Sequence, residues 1–349
     1  GMLSAFGPFV TDMYLPSLPA MADYFSASLP MVQMGLTTSM IGLALGQIFF
    51  GPLSDKYGRR PLLLVSMLLF IVSTLFCLFA PDIYSFVTLR LIQGIAGAGG
   101  IVISRSVAID KFSGKELAKM LAVIGAINGV APVAAPVIGG LLTGSVGWQG
   151  IFMILLFIGI LLGIGCIRFK ESLPAEKRSK TGVWATFRSF GIIVHNRRYM
   201  LYVFQLAFAQ GILFAYIASS PFIIQQHYGF SPFAFSICFA VNAVAIGVAA
   251  ALSVKFRRTE NGTLTGCVGM LVFAVLQMAA LYSGCGFWTY ELLMFALLFM
   301  MGLTFTASTT LAMDCERRYA GAASALLGAL CFASGGIVSP LVGLGDILI

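Results

Sequence analysis

Asp12 and Arg90 are ionisable residues inside long apolar stretches of the sequence. A charge at such a place is costly and marks a functional site by default. An arginine close to a carboxylate favours its ionised form, and a bound proton or cation then shifts the pair. If the two residues meet, they predict reversible proton or cation binding. Two alternatives stay open, because Asp12 could cap a helix end beside the prolines that follow it, and backbone carbonyls could hold Arg90 for stability alone.

The composition indicates what kind of protein positions these residues. The chain has 349 residues, of which 59% are hydrophobic and 10% charged, and its mean hydropathy is +0.97. A water-soluble domain carries about 25% charged residues, which a folded surface of this size needs. The composition therefore excludes a soluble enzyme, a secreted scaffold and a disordered hub. It predicts an all-α membrane protein with many spans.

Long apolar runs, broken by charges, prolines or glycines, mark the spans. A bilayer core about 30 Å thick requires about 20 apolar residues of helix. The first run is shorter, so we expect it to be the second half of a span whose start is absent; no cleavable signal precedes it. The eleven runs are Gly1–Tyr14, Pro30–Leu53, Pro61–Ala80, Ile83–Ile109, Met120–Thr143, Gly150–Phe169, Met200–Ile224, Pro232–Val254, Thr263–Tyr282, Trp288–Met313 and Ala320–Val342.

Basic residues are sorted between the connections. Nearly all of the 21 Lys and Arg residues follow even-numbered runs, and none lies in a connection after an odd-numbered run. By the positive-inside rule the even connections are cytoplasmic. The net charge of +8 is thus a signal of topology and not a nucleic-acid footprint. We expect a lipid bilayer and a small-molecule substrate as partners, no nucleic acid, and a monomer.

A polar segment divides the chain in two. We predict an N-terminal half at residues 1–169 (spans 1–6), a cytoplasmic linker at 170–198 and a C-terminal half at 199–349 (spans 7–11). Two six-helix halves around a central cavity are typical of transporters built from repeats, with the binding site between the halves. A twelfth span is then expected after residue 349.

The strongest local motif joins spans 2 and 3 in the segment Gly51–Pro61, which reads G-P-L-S-D-K-Y-G-R-R-P. One glycine permits a tight turn, and the aspartate can accept from an arginine or from a helix N-terminus. The segment resembles motif A of the major facilitator superfamily, with its two-half, twelve-helix fold. The resemblance implies a conformational latch on the cytoplasmic side. The matching positions are Gly51, Asp55, Gly58, Arg59 and Arg60.

Two further segments are similar to motifs of the same superfamily. In span 4, Arg90, Gln93 and Gly94 share one helical face; the stretch resembles motif B, which implies that Arg90 serves in proton coupling. Span 5 contains two prolines four residues apart among small residues, as a kinked, closely packed helix would. It is similar to antiporter motif C, associated with exporters, although Ala135 replaces one glycine. The motif C positions are Pro132, Pro136, Gly139 and Gly140.

The string T-D-M-Y-L-P-S-L-P around Asp12 is more specific. With the other motifs it resembles the Bcr/CflA family of drug-resistance exporters, in the drug:proton antiporter group. That resemblance implies multidrug efflux, antibiotic resistance and a bacterial cytoplasmic (inner) membrane. Some relatives carry a second carboxylate two helical turns earlier, where this chain has Ser4, so Asp12 would act without that partner.

The substrate cavity is less well marked. We expect it to mix aromatic and amide side chains, and the candidates are Tyr14, Gln205, Phe208, Tyr216 and Asn242. Spans 7 and 8 also offer Gln210, Phe214 and Phe239, whereas Glu291 is expected to be interfacial. The seven cysteines have no metal-ligand spacing. We predict no metal and no cofactor, with a proton gradient as the energy source.

The leading hypothesis is a proton-coupled secondary exporter of small amphipathic compounds that works by alternating access. An exporter of one metabolite, such as a sugar, an amino acid or a purine, is the alternative in the same fold. A membrane-embedded enzyme would need a catalytic motif such as H-E-x-x-H or G-x-S-x-G, and an ATP-driven pump a phosphate-binding loop, none of which the sequence contains. A channel would reveal itself by single-channel currents.

Overall fold

The computed structural model describes residues 3, 6–112, 114–178, 190–253, 255–256, 258–316 and 320–342. Its described part is helical, with short turns and 3₁₀ or π segments between the helices. The α-helices are α1 (Phe6–Asp12), α2 (Leu18–Phe25), α3 (Leu29–Tyr57), α4 (Arg59–Leu78), α5 (Ile83–Lys111), α6 (Gly114–Arg168), α7 (Arg197–Phe222), α8 (Pro232–Ser253), α9 (Thr259–Tyr282), α10 (Phe287–Cys315) and α11 (Ala320–Val342).

The predicted all-α membrane fold is confirmed. Eight helices in the described part are long and apolar enough to cross a membrane, against eleven predicted runs, and the difference has three sources. Helix α1 has 7 residues. Runs five and six form the single helix α6, in which only Gly147 is non-helical among the described residues. The apolar part of α11, Leu326–Val342, is shorter than a full span.

Local sequence sets several helix ends. Asp82 caps α5 because its carboxylate accepts from the backbone N–H of Ser85 at 2.8 Å, and this bond lowers the pKa of Asp82. Asn196 caps α7 in the same way, accepting from the N–H of Tyr199. A single residue separates α3 from α4: Gly58 has a φ of 101°, which only glycine adopts without strain.

Helix packing places the apolar core at the centre and leaves large apolar side chains on the outside. Helix α5 packs against α3 and α4, α10 packs against α7, α8 and α9, and contacts between α3 and α11 and between α6 and α8 join the two groups. Leu68, Phe157 and Leu271 are more than half exposed, as side chains facing lipid would be.

The predicted linker lies only partly in the described structure. Residues 179–189 fall outside the described residues, whereas Glu171 and Arg178 at the start of the linker contact each other. The division of the chain into two halves at this linker therefore stays a prediction.

Candidate functional site

A central cavity of about 500 Å³ lies between helices from both parts of the chain. Its wall is mainly apolar and contains aromatic, methionine and aliphatic side chains. The described lining residues are Gly7, Pro8, Thr11 and Asp12 of α1; Met40, Leu43 and Gln47 of α3; Ile101 of α5; Gln210, Leu213, Phe214, Tyr216 and Ile217 of α7; Phe239, Ala243, Ile246 and Gly247 of α8; Met301 and Phe305 of α10; and Phe332 of α11.

Asp12 is the one carboxylate among the described lining residues. It is the last residue of α1 and its side chain is almost completely buried. A helix C-terminus is an unfavourable place for an acidic cap, so the position of Asp12 does not match the capping alternative. The neighbouring Thr11 hydroxyl donates to the carbonyl of Gly7 at 3.1 Å. The cavity thus places one carboxylate in a mainly apolar wall.

Arg90 lies behind this wall, with no exposed surface. Its Nη2 donates to the carbonyl of Val10 at 3.0 Å and its Nε to the carbonyl of Gly35 at 3.4 Å, while Nη1 donates to the side-chain oxygen of Gln93. The guanidinium lies 4.4 Å from the centre of the Tyr14 ring, an arrangement that favours a cation. Arg90 therefore joins α1, α3 and α5.

The structure does not pair Arg90 with Asp12. No ion pair between them is present in the described part of the chain, and the guanidinium donates to carbonyls and to an amide instead. Both residues lie near Tyr14, yet Asp12 faces the cavity and Arg90 faces the helix packing. The direct contact is absent from this conformation because α1 presents the Val10 carbonyl, and not the Asp12 carboxylate, to the guanidinium, and the two charges interact only over a longer distance.

Motif B also has a clear packing role. Gln93 is fully buried and its amide donates to the Thr74 hydroxyl of α4 at 2.7 Å. Gly94 lies directly against the backbone carbonyl of Ser39, so that any side chain there would collide with α3. The α3–α5 contact depends on this close approach.

The motif C residues lie where α6 meets α1 and α8. Gly139 contacts the backbone carbonyl of Met13, and Gly140 contacts the Ser236 side chain and the carbonyl of Pro232. Pro136 is buried. The side chain of Pro132 lies outside the described residues. Motif C therefore brings α6 close to the outer end of α1.

The predicted cavity residues need four corrections. Tyr216 lines the cavity, but Phe208 is 77% exposed on the opposite face of α7. Tyr14 is covered by Arg90, and Gln205 donates to Cys267 on α9 at 3.4 Å. Asn242 is fully buried behind Tyr216. Whether one of these residues lines the cavity depends on which face of its helix it occupies. Composition alone did not reveal which face of each span points inward. Gln210, Phe214 and Phe239, the additional candidates, do line the cavity.

Sequence reasoning missed a polar cluster next to the cavity. The Asn242 amide donates to the Tyr216 hydroxyl at 3.0 Å and to the Glu291 carboxylate at 2.9 Å. Glu291 was expected at the interface with water, but the structure places its carboxylate against α7 and α8. Three different helices supply these residues, so no spacing along the chain could have signalled the cluster.

Motif A forms a compact ion network at the opposite end of the helices. The Arg59 side chain contacts Asp55 at 2.5 Å and Asp110 at 3.0 Å, and donates to the Ser54 hydroxyl at 2.7 Å. Asp110 was not predicted, although an acid directly before the basic connection at Lys111 was a usable signal. The side chain of Asp55 is 53% exposed and keeps room for a further partner.

Glu171 completes this network from the start of the linker. Its two carboxylate oxygens accept from the backbone N–H groups of Arg59 and Arg60 at 2.9 and 3.1 Å, at the N-terminus of α4. Burial opposes ionisation of the carboxyl, but these and two further backbone N–H bonds outweigh it and lower the pKa of Glu171. Gly58 permits the turn that exposes these N–H groups, and Gly51 lies earlier on α3. The motif A network therefore comprises Asp55, Arg59, Asp110 and Glu171.

The described residues contain no group of three His, Cys, Asp or Glu side chains that could hold a metal ion. The seven cysteines are free thiols, six of them on six different helices and Cys285 in the connection between α9 and α10. Among the side chains that the structure describes near the cavity, the acidic and basic ones are Asp12, Arg90 and Glu291.

The helical membrane fold and its central cavity define a multi-pass membrane transporter. Residues 2–340 match the family model described as Major Facilitator Superfamily, and the chain belongs to that superfamily of transporters, which are not enzymes. It is 39% identical to the MFS-type transporter YdgK of Bacillus subtilis (strain 168), over 99% of this chain and 88% of that protein.

Two further similarities bear on the fold and the family. The chain is 30% identical to a bicyclomycin resistance protein homolog of Haemophilus influenzae, over 98% of this chain and 87% of that protein. In structure it is similar to a bacterial homolog of the human lysosomal transporter Spinster in an inward-facing, unoccupied conformation, with a TM-score of 0.78 and 19% identity, over 98% of this chain and 79% of that one. This likeness confirms the fold.

Proposed function

We propose that the protein is a drug:proton antiporter of the Bcr/CflA type, which exports small amphipathic compounds by alternating access. It would act as a monomer in the bacterial inner membrane. It would use the proton gradient in place of a cofactor. The name of the relative from Haemophilus influenzae, a bicyclomycin resistance protein homolog, supports a role in antibiotic efflux.

The position of Asp12 carries this proposal. A carboxylate in an apolar wall is costly when charged and gains from binding a proton or a positively charged group. Since Asp12 lines the cavity, a substrate and a proton can compete for the same space. Competition of this kind is the minimum that exchange transport requires, because each ligand must displace the other.

The apolar wall supports a broad range of substrates. Phe214, Phe239 and Phe332 offer aromatic faces, and Met40 and Met301 add flexible side chains that adapt to different shapes. The polar lining groups are few, so that binding depends on shape and apolar area more than on one set of hydrogen bonds. A multidrug exporter fits this wall better than an exporter of one sugar or amino acid.

Contacts at the two ends support alternating access. At the end that the positive-inside rule makes external, the Gln33 amide of α3 donates to the Ala218 carbonyl of α7 at 2.9 Å, and Gln225 donates to the Pro16 carbonyl at 3.2 Å. Opening the cavity outward requires these bonds to break. At the cytoplasmic end, the exposed Asp55 is free to gain a partner when that side closes.

Transport into everted membrane vesicles tests the proposal. Vesicles with the wild-type protein should accumulate bicyclomycin when respiration supplies a proton gradient, and an uncoupler should abolish the accumulation. Asp12→Asn should lose it, while the exposed Asp23→Asn serves as a matched control. Active accumulation by Asp12→Asn at the wild-type level would contradict the coupling role. Growth rescue by one chemical class of toxic compound alone would favour the single-metabolite alternative.

A further inference from the structure

The cluster behind the cavity wall connects three helices by two hydrogen bonds. Asn242 of α8 donates both amide hydrogens, one to the Tyr216 hydroxyl of α7 and one to the Glu291 carboxylate of α10. Tyr216 lines the cavity and stacks on Phe239 at a ring distance of 5.6 Å. Two hydrogen bonds therefore connect Glu291 to a residue that lines the cavity.

The ionised carboxylate fixes the orientation of the Asn242 amide. A carboxylate only accepts hydrogen bonds, so the amide must turn its NH₂ group toward Glu291. The same NH₂ group then donates to the Tyr216 oxygen, so the hydroxyl proton of this cavity-lining residue is available to an acceptor other than Asn242. In this state the wall offers a substrate a hydrogen-bond donor.

The surroundings of Glu291 favour the binding of one proton to its carboxylate. Its Oε1 accepts from Asn242, whereas its Oε2 is buried without a partner, as is the Oδ1 of Asn242. No Lys, Arg or His forms an ion pair with Glu291 in the described part of the chain. A buried carboxylate without a cation is costly, and a bound proton removes that cost. The titratable groups that face it are Tyr216 from α7, Cys238 from α8 and Tyr290 from α10, with Tyr228 and Cys285 beyond Tyr290.

No described charged side chain of the other helices packed on α10 acts on Glu291. The described titratable groups of α9 and α11, such as Cys267 and Cys331, have no electrostatic contact with Glu291. Asp12 lies on α1, across the cavity from α10. A proton at Glu291 thus acts on a site distinct from Asp12.

We propose that Glu291 is a second proton-binding site, whose protonation switches Tyr216 from a hydrogen-bond donor to an acceptor toward the cavity. The proton binds one carboxylate oxygen and no covalent bond breaks, but the two hydrogen bonds that the Asn242 NH₂ group donates are given up. The amide of Asn242 then turns over, and its Oδ1 accepts from both the carboxylic acid and the Tyr216 hydroxyl. The lone pairs of Tyr216 now face the cavity. A substrate held through a carbonyl loses its partner.

This inference rests on the proposed drug:proton exchange and adds a mechanism to it. With Glu291 ionised, the wall favours a neutral substrate that carries an acceptor group; with Glu291 protonated, it releases that substrate. The size of the effect is that of one hydrogen bond, about a fivefold to tenfold change in affinity.

Infrared titration of the purified protein tests the proton site without any substrate. Lowering the pH should produce the C=O stretch of a carboxylic acid that is missing in Glu291→Gln and present in the control Glu260→Gln, a variant of an exposed residue. With tyrosine labelled at its C–O carbon, the same pH change should shift a band that is absent in Tyr216→Phe. Spectra of Glu291→Gln identical to wild type, or a Tyr216 band that ignores pH, would overturn the proposal.

Binding of bicyclomycin, a neutral compound with amide carbonyls, tests the switch. The measurement uses the Asp12→Asn background, so that titration of Asp12 plays no part. Affinity should fall about fivefold to tenfold on acidification, and Glu291→Gln and Tyr216→Phe should each abolish this pH dependence while Glu260→Gln keeps it. Persistence of the pH dependence in Glu291→Gln contradicts the inference. Absence of binding at every pH contradicts the proposed function, and the infrared result then decides the proton site alone.

Discussion

Replacing Arg90 by lysine keeps the charge and removes the fork-shaped donor. Arg90 donates to Val10 at 3.0 Å, to Gly35 at 3.4 Å and to Gln93, from three separate nitrogens. One ammonium group satisfies at most one of these acceptors in the same geometry. The Gly35 carbonyl keeps the Thr38 hydroxyl as a donor at 3.4 Å, so the losses fall on the Val10 carbonyl and the Gln93 side-chain oxygen. An acceptor left without a donor costs about 1–3 kcal/mol, so the expected destabilisation is about 2–6 kcal/mol. That is a large part of a typical free energy of unfolding.

Thermal unfolding in detergent, followed by the yield of monodisperse protein after heating, measures this loss. Arg90→Lys should lower the midpoint clearly, and Arg197→Lys, at an exposed position at the start of α7, should leave it unchanged. The loss should be the same at neutral and mildly acidic pH, since arginine and lysine both stay charged there. A midpoint of Arg90→Lys equal to wild type would refute the idea that these carbonyls hold the helices together.

Three further outcomes follow from the structure. The pKa of Glu171 is lower in the folded protein than its ordinary value of 4.5, so the ionised carboxylate stabilises the fold above pH 4.5. This contribution is lost as the pH falls through the pKa of the folded state. Glu171→Gln should therefore lower the thermal midpoint at neutral pH and match wild type in strong acid. Phe239→Ala should weaken bicyclomycin binding about tenfold in an equilibrium assay because its ring lines the cavity, and Phe208→Ala, on the lipid side, should not. Gly94→Ala should reduce the yield of folded protein, since the added methyl group meets the α3 backbone. Gly97→Ala on the same helix makes only ordinary van der Waals contact and should be tolerated. Equal yields of the two variants would contradict this packing.

The sequence predicts the helices because apolar length and breaking residues are local properties. The runs Pro232–Val254 and Thr263–Tyr282 agree with α8 and α9 to within a few residues. The merging of two spans in α6 was not predictable, because a Gly-rich connection reads as a break and yet only Gly147 departs from helical geometry among its described residues. Helix-breaking residues in the sequence show where a helix can end, but they do not determine whether it ends there.

The parts of the site that belong to a sequence motif could be predicted. The contacts that arise from helix packing could not. Motif A offered two partners for Asp55, an arginine or a helix N-terminus, and the structure contains the contact with Arg59, four residues further along the chain. Whether Asp12 contacts Arg90 could not be predicted without knowing the rotation of α1 about its axis. That rotation decides whether a carboxylate or a carbonyl meets the guanidinium. The contact of Asn242 with Glu291 joins residues 49 positions apart, and only the fold brings them together.

The proposed coupling of drug to proton through Asp12 is tested most directly in proteoliposomes that contain bicyclomycin and a pH-sensitive dye. The membrane potential is clamped during the measurement. On dilution into drug-free buffer, the wild-type protein should release the drug and acidify the lumen at the same time, because each outward step carries a proton inward. Asp12→Asn should acidify it no faster than protein-free vesicles, and Asp23→Asn should behave as wild type. Drug release by the wild type without a change in lumen pH, or full acidification by Asp12→Asn, would contradict the account.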